Sequence, residues 1–137
     1  MTVRRATSAD IGHCVEMARR FIAAADKPEP DQGQLVNVIG ALIDGGGVFV
    51  SERGAIAGVL APLFYKPSHL EAHEMAWWCE DGQGMRLLRA FEKWAGENGA
   101  QEIVMSTLPD FTAGAVGEYL KRRGYRLAEA GFRKRVV

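Results

Sequence analysis

The stretch His73-Glu74-Met75-Ala76-Trp77-Trp78-Cys79-Glu80-Asp81-Gly82-Gln83-Gly84-Met85-Arg86-Leu87-Leu88, running on to Trp94, decides the fold. Its first half, Ala72 to Glu80, is aromatic and reads as a strand. Its second half puts Leu87, Leu88, Phe91, Trp94 and Ala95 on one helical stripe, and Asn98-Gly99 supplies the stop. Between them Gly82-x-Gly84 takes the chain straight from strand to helix. A helix entered through glycines opens its free N–H groups and the positive end of its dipole to an anion, because no Cβ stands in the way. Two glycines at that place are also ordinary turn chemistry, so the remainder of the chain has to choose between the readings.

Upstream, Thr2 to Ala6 alternates as a short strand, and Ser8 or Asp10 can cap a helix carrying Ile11, Cys14, Ala18, Phe21, Ile22 and Ala25 on one face. Lys27-Pro28-Glu29-Pro30 breaks that helix, and a second follows over Asp31 to Ile43 with Leu35, Val38, Ile39 and Leu42 as its stripe. Val48 to Ser51, a two-residue turn at Arg53-Gly54, and Ala55 to Phe64 form an antiparallel hairpin pattern, with Pro62 marking a bulge or an edge. Tyr65 to Leu70 reads as a loop. Downstream, Glu102 to Thr107 is a strand, Leu108 to Phe111 a connection, and Thr112 to Arg123 a helix with Ala115, Val116, Tyr119 and Leu120 inward and Gly124 as its cap. Tyr125 to Leu127 and Gly131 to Val136 are two final strands. The order predicts one α+β (α/β) domain over residues 1–137, a mixed but mainly antiparallel sheet of about seven strands flanked by four helices.

A chain of 137 residues can bury a core without staples. Seventeen basic against seventeen acidic residues leave no field to recruit nucleic acid, and Arg133, Lys134 and Arg135 read as a solvated strand face. Two cysteines, Cys14 and Cys79, give no disulfide framework and suit a reducing, cytoplasmic setting. No signal-peptide core or membrane-length apolar run occurs, so neither export nor a membrane is expected.

This element order resembles the GNAT acetyltransferase superfamily over nearly the whole chain. Gly82-x-Gly84-x-x-Leu87-Leu88 is similar to the second half of that family's pyrophosphate motif, and Leu120-x-x-x-Gly124-Tyr125 to its Tyr-x-x-x-Gly-Phe. Glu74-x-x-Trp77-Trp78 with Ala90-Phe91-Glu92-Lys93-Trp94-Ala95 resembles a phage- and prophage-type branch. The resemblance implies acetyl-CoA as co-substrate, lying where the fourth and fifth strands splay apart. It implies Trp78 and Cys79 offering backbone to pantetheine, and Gly82, Gln83, Gly84 and Met85 offering N–H groups to pyrophosphate. Two departures stand out. Cys79 sits where the motif has Gln or Arg, in a shortened loop without a basic residue, and Leu120 sits where many members carry an acidic Tyr. Tyr119 is one residue away, a rotation of about 100° along a helix.

Acyl transfer to an amine needs a base for the ammonium proton, a donor for the thioester carbonyl and an acid for the thiolate. Glu74 is the base candidate, on strand parity sharing a face with Ala76 and Trp78, where desolvation could raise its pKa; a plain hydrogen-bonded carboxylate is the alternative. His73 points the other way. Tyr119 is the acid candidate or a core aromatic with a wet tip, and Ser106 and Thr107 bind pantetheine or begin a turn. Cys79 is a small strand residue rather than a nucleophile, and Trp77 and Trp78 line an acceptor pocket or a homodimer face. The spacing of His69 and His73 suggests a metal pair, but no further ligand cluster in the sequence supports one, so no metal is expected. The predicted activity is transfer of acetyl from acetyl-CoA to a primary amine of a small molecule or peptide. The rival is a GNAT-like module that has lost catalysis and serves binding or assembly.

Overall fold

A computed structural model, describing residues 2–109 and 113–136, places five strands side by side in the order in which they occur along the chain. They are β1 (Arg4–Arg5), β2 (Val48–Ser51), β3 (Gly54–Leu63), β4 (Lys66–Cys79) and β5 (Glu102–Val104). The first four pair antiparallel and β5 joins β4 in parallel, which gives the mixed, mainly antiparallel sheet expected. Around it in the same unit, Met1–Ser106, run α1 (Ile11–Ala24), α2 (Gln32–Asp44) and α3 (Gly84–Glu97); a second unit, Thr107–Val137, carries α4 (Ala115–Arg122).

Side-chain alternation sorts the helices. Val48, Val50, Ala55 and Ala57 belong to a core with Cys14 and Val15 of α1 and Ile39 and Ile43 of α2. The alternate β3 positions meet α3 instead, since an atom added at Gly54 would strike Leu87 and one added at Gly58 would strike Phe91. The helices thus cover opposite sheet faces in the first unit. All five predicted stripe residues of α3 are buried, Phe91 and Trp94 with ring centroids 5.5 Å apart. Gly99, at φ +84°, ends that helix as the sequence indicated.

Asp10 is the N-cap of α1, and its carboxylate takes the Thr7 N–H at 2.8 Å and both Arg4 guanidinium nitrogens at 2.8 Å. That bidentate bond holds Asp10 ionised far below the usual carboxylate range. Asp31 caps α2 through the Gln34 N–H. Val38, expected inward, is half exposed; Ile39 is buried as expected, and Ile43 is buried with it.

Three expectations need correction. The β2–β3 turn is Glu52-Arg53, because Ser51 pairs with Gly54; Gly54 is needed within the strand, where a Cβ would lie 2.8 Å from Ser51 Oγ and 3.0 Å from the Trp78 carbonyl oxygen. The Tyr65–Leu70 loop is mostly strand: the β3–β4 hairpin turns at Phe64-Tyr65, with the register slip expected at Pro62 falling between Pro62 and Leu63. The seven-strand count falls to five, because residues 125–136 form no strand. Leu127, Phe132 and Val136 there are 70%, 99% and 91% exposed, so their alternation buries no face and nothing offsets the entropy of extending them. Within α4, which starts at Ala115 rather than Thr112, Tyr119 and Leu120 are buried and Gly124 caps at φ +94°. Thr112 and the end of the Leu108–Phe111 connection lie outside the described residues. No described helix is long and apolar enough to cross a membrane.

Candidate active site

β4 and β5 pair only from Glu71 with Glu102 to His73 with Val104. β5 then ends while β4 continues to Cys79, so from Glu74 onward the β4 backbone has no described strand partner on that side. This is the splay that the resemblance implied, and β4 peptide groups without a strand partner can pair with an amide-bearing ligand.

Glu74 stands where the strands part. Its Oε1 accepts the Ser106 N–H at 3.1 Å, across the gap just past the end of β5. Burial raises its pKa to about 7, against the lowering effect of that N–H and of Lys27. The strand-parity argument for its neighbours fails, however. Ala76 pairs with Ala57 but Glu74 with Gly58, leaving Met75 as an unpaired extra residue, so Glu74 does not share a face with Ala76 and Trp78. Beside the bulge, Gly58 receives the Phe91 ring of α3 where a Cβ would sit 2.4 Å from it.

The glycine turn opens as expected. Gly82 lies at φ +75°, with nothing within 4 Å of the place a Cβ would occupy. The first bond of α3 runs from the Leu87 N–H to the Gln83 carbonyl at 2.9 Å, which leaves the Gly84, Met85 and Arg86 N–H groups outside the helical ladder. Trp77 steadies the turn by donating from Nε1 to the Gly84 carbonyl at 3.2 Å. Trp78 donates to Glu80 at 2.7 Å, and Glu80 also takes Arg20 at 2.8 Å and Arg53 at 3.2 Å, so both guanidinium groups are already tied to a carboxylate.

Sequence reasoning missed Asp81. Its Oδ1 accepts the Gln83 N–H at 3.1 Å and the Cys79 thiol at 2.9 Å, while Oδ2 accepts the Arg53 N–H at 2.7 Å. Burial pushes the Asp81 pKa up, but the bonds from Cys79 and the two amides outweigh it and hold the group down to about 2. Burial and the Asp81 bond raise the Cys79 pKa, keeping it a thiol. Of the four residues expected to offer N–H groups to pyrophosphate, Gln83 therefore has its amide engaged by a carboxylate held ionised within the same turn. An aspartate two residues before that amide is a legible Asx-turn signal.

Ser106 lies on the exposed end past β5, and Met85 is half exposed. Thr107 and Tyr119 belong to the second unit, where the buried Tyr119 hydroxyl has no hydrogen-bond partner among the described residues. Two cavities of about 280 and 250 Å³ lie elsewhere, the first lined by Arg4 and Ser51, the second by Leu42, Gly58 and Trp94. The β4–β5 gap, with its titratable carboxylate and open amides, is the better site on chemical grounds.

No family model matches the chain, and no curated protein matches it by sequence. Solved structures do. A Trypanosoma brucei acetyltransferase superposes with a TM-score of 0.69 at 13% identity, covering 98% of this chain and 99% of its own. An aminoglycoside acetyltransferase from an uncultured soil metagenomic sample gives 0.71 at 14%, covering 99% and 96%. The fold is an acetyltransferase fold. It is not confined to proteins so described, since a transcriptional regulator from Bacillus halodurans C-125 gives 0.73 at 15%, covering 98% and 99%.

Proposed function

We infer that the chain is an N-acyltransferase that moves acetyl from acetyl-CoA to a primary amine, by direct attack with both substrates bound. The observation that carries this reading is the half-buried Glu74 carboxyl, bonded to the Ser106 N–H at the point where β4 and β5 separate and with its pKa raised to about 7 by desolvation. A base poised near neutral pH is what removal of a proton from an acceptor ammonium requires.

The residues present fit the co-substrate in part. Unpaired β4 backbone between Glu74 and Cys79 can bond the pantetheine amides, and the Gly84 and Met85 N–H groups can bond pyrophosphate oxygens beside an unobstructed Gly82. Acetyl-CoA supplies an activated thioester whose C–S bond breaks as the C–N bond to the amine forms. Glu74 takes the ammonium proton and a β4 N–H polarises the carbonyl oxygen; Tyr119, expected from the sequence as the acid for the departing thiolate, lies in the second unit. The acceptor amine belongs to a small molecule or peptide.

One observation favours the second reading, a binding or assembly module in a phage or prophage setting. Asp81 places a carboxylate beside the anion-binding amides and consumes one of them. The readings separate in an assay of thiol release from acetyl-CoA against a panel of primary amines. The enzyme reading expects release that requires both the chain and an amine; a chain that never accelerates release with any amine in the panel contradicts it.

A further inference from the structure

We propose that His69, Glu71 and Glu102 form a binding site for one divalent transition-metal ion of the zinc type, which clamps β5 to β4 just ahead of the splay. One ligand atom from each of the three lies within 4.8 Å of the other two. His69 and Glu71 are two residues apart on β4, and Glu102 is the direct partner of Glu71 in the parallel pairing. The register is pinned next door, where Leu70 accepts the Gln101 N–H at 2.8 Å and donates its own N–H to the Gln101 side chain at 3.0 Å. The three side chains therefore converge because the two backbones hold them there.

Two features of this cluster call for a cation. Glu71 and Glu102 face each other across the strands, and like charges directly opposite are destabilising in a sheet. The buried His69 Nε2 lies 2.7 Å from Glu102 Oε1, yet the approach has no hydrogen-bond direction and the nitrogen has no other partner among the described residues. A metal at about 2.0–2.2 Å from each ligand atom resolves both, neutralising the carboxylates and using the ring nitrogen's lone pair. Tetrahedral edges at such bond lengths are about 3.3 Å, so the His69–Glu102 contact has to open by only about half an ångström. His73 donates from Nε2 to Glu71 Oε1 at 3.0 Å and orients it from outside the ligand set. One imidazole with two carboxylates favours zinc over magnesium or calcium, which prefer all-oxygen shells, and leaves a fourth position for water.

The test is calorimetric titration of Zn²⁺ into the chelator-treated full chain, with Co²⁺ absorption as a second readout. The proposal expects one tight equivalent, four-coordinate Co²⁺ bands, and no competition from Mg²⁺. In Glu102→Gln, a change at an exposed side chain that leaves the fold intact, affinity falls at least as far as the roughly 10- to 100-fold loss that removing an outer partner of a metal ligand causes. His69→Gln behaves likewise. Absence of a stoichiometric equivalent overturns the proposal, as does a binding curve unchanged in both variants. Binding lost in Cys79→Ser but kept in His69→Gln also overturns it, by moving the metal to the thiol.

Discussion

Replacing Glu74 by Gln is expected to abolish acyl transfer while making the protein more stable at pH 8. Loss of a general base costs about 10²- to 10⁴-fold in rate, and Gln keeps the shape and the oxygen that accepts the Ser106 N–H. The stability change follows from linkage. Burial raises the folded pKa from 4.5 to about 7, so between those values the folded protein holds a proton that the unfolded chain has lost. Stability from this group is therefore complete below about 4.5, falls as pH rises towards 7, and stays low above it. At about 1.4 kcal/mol per unit, the wild type loses up to about 3 kcal/mol over that window, which Gln does not. Urea unfolding of the two proteins at pH 5 and pH 8 measures this difference. Turnover in the wild type should rise with pH around 7, and turnover unchanged in Glu74→Gln would remove Glu74 from the role.

Gly58→Ala is expected to be among the most destabilising single methyl additions in the first unit, together with Gly47→Ala, whose Cβ would lie 2.3 Å from the Gly58 carbonyl oxygen. The new Cβ would lie 2.4 Å from the His73 carbonyl oxygen and 2.4 Å from Phe91 Cε1, one a strand backbone atom and the other part of a fully buried ring. Neither can move without cost, so the loss reaches the upper part of the overpacking range, about 3 kcal/mol, lowering Tm by roughly 10–20 °C. Phe91→Leu in the same chain should return part of it, because the shorter side chain vacates the ring position. A Gly58→Ala variant that melts with the wild type would mean that Phe91 and the His73 backbone do not close on Gly58 as described.

The bulge at Met75 marks the boundary of what the sequence could disclose. The α3 stripe was readable because Leu87, Leu88, Phe91, Trp94 and Ala95 repeat on one face, and such local periodicity survives folding. The face of Glu74 was not, because a one-residue bulge against β3 shifts it, and strand parity alone does not display a bulge. The start of β4 was hidden by Lys66-Pro67-Ser68, which carries turn chemistry but lies within a hairpin. Apolar alternation at Leu127 to Val136 promised strands that nothing buries. At the site, the glycine turn and Glu74 were legible from their types and places. The Glu71–Glu102 pairing was not, since it joins residues far apart in sequence through a parallel register. Asp81 was in plain view two residues before Gln83.

Asp81 also provides the sharpest handle on the central claim, that the start of α3 and the adjoining gap accept acetyl-CoA. Calorimetric titration of acetyl-CoA into the wild type and into Asp81→Asn measures it. Saturable one-to-one binding is predicted for both, tighter in Asp81→Asn by roughly two- to fivefold, because a charge beside a helix N-terminus is worth about 0.3–1 kcal/mol. No heat of binding from either protein at millimolar acetyl-CoA would contradict the account.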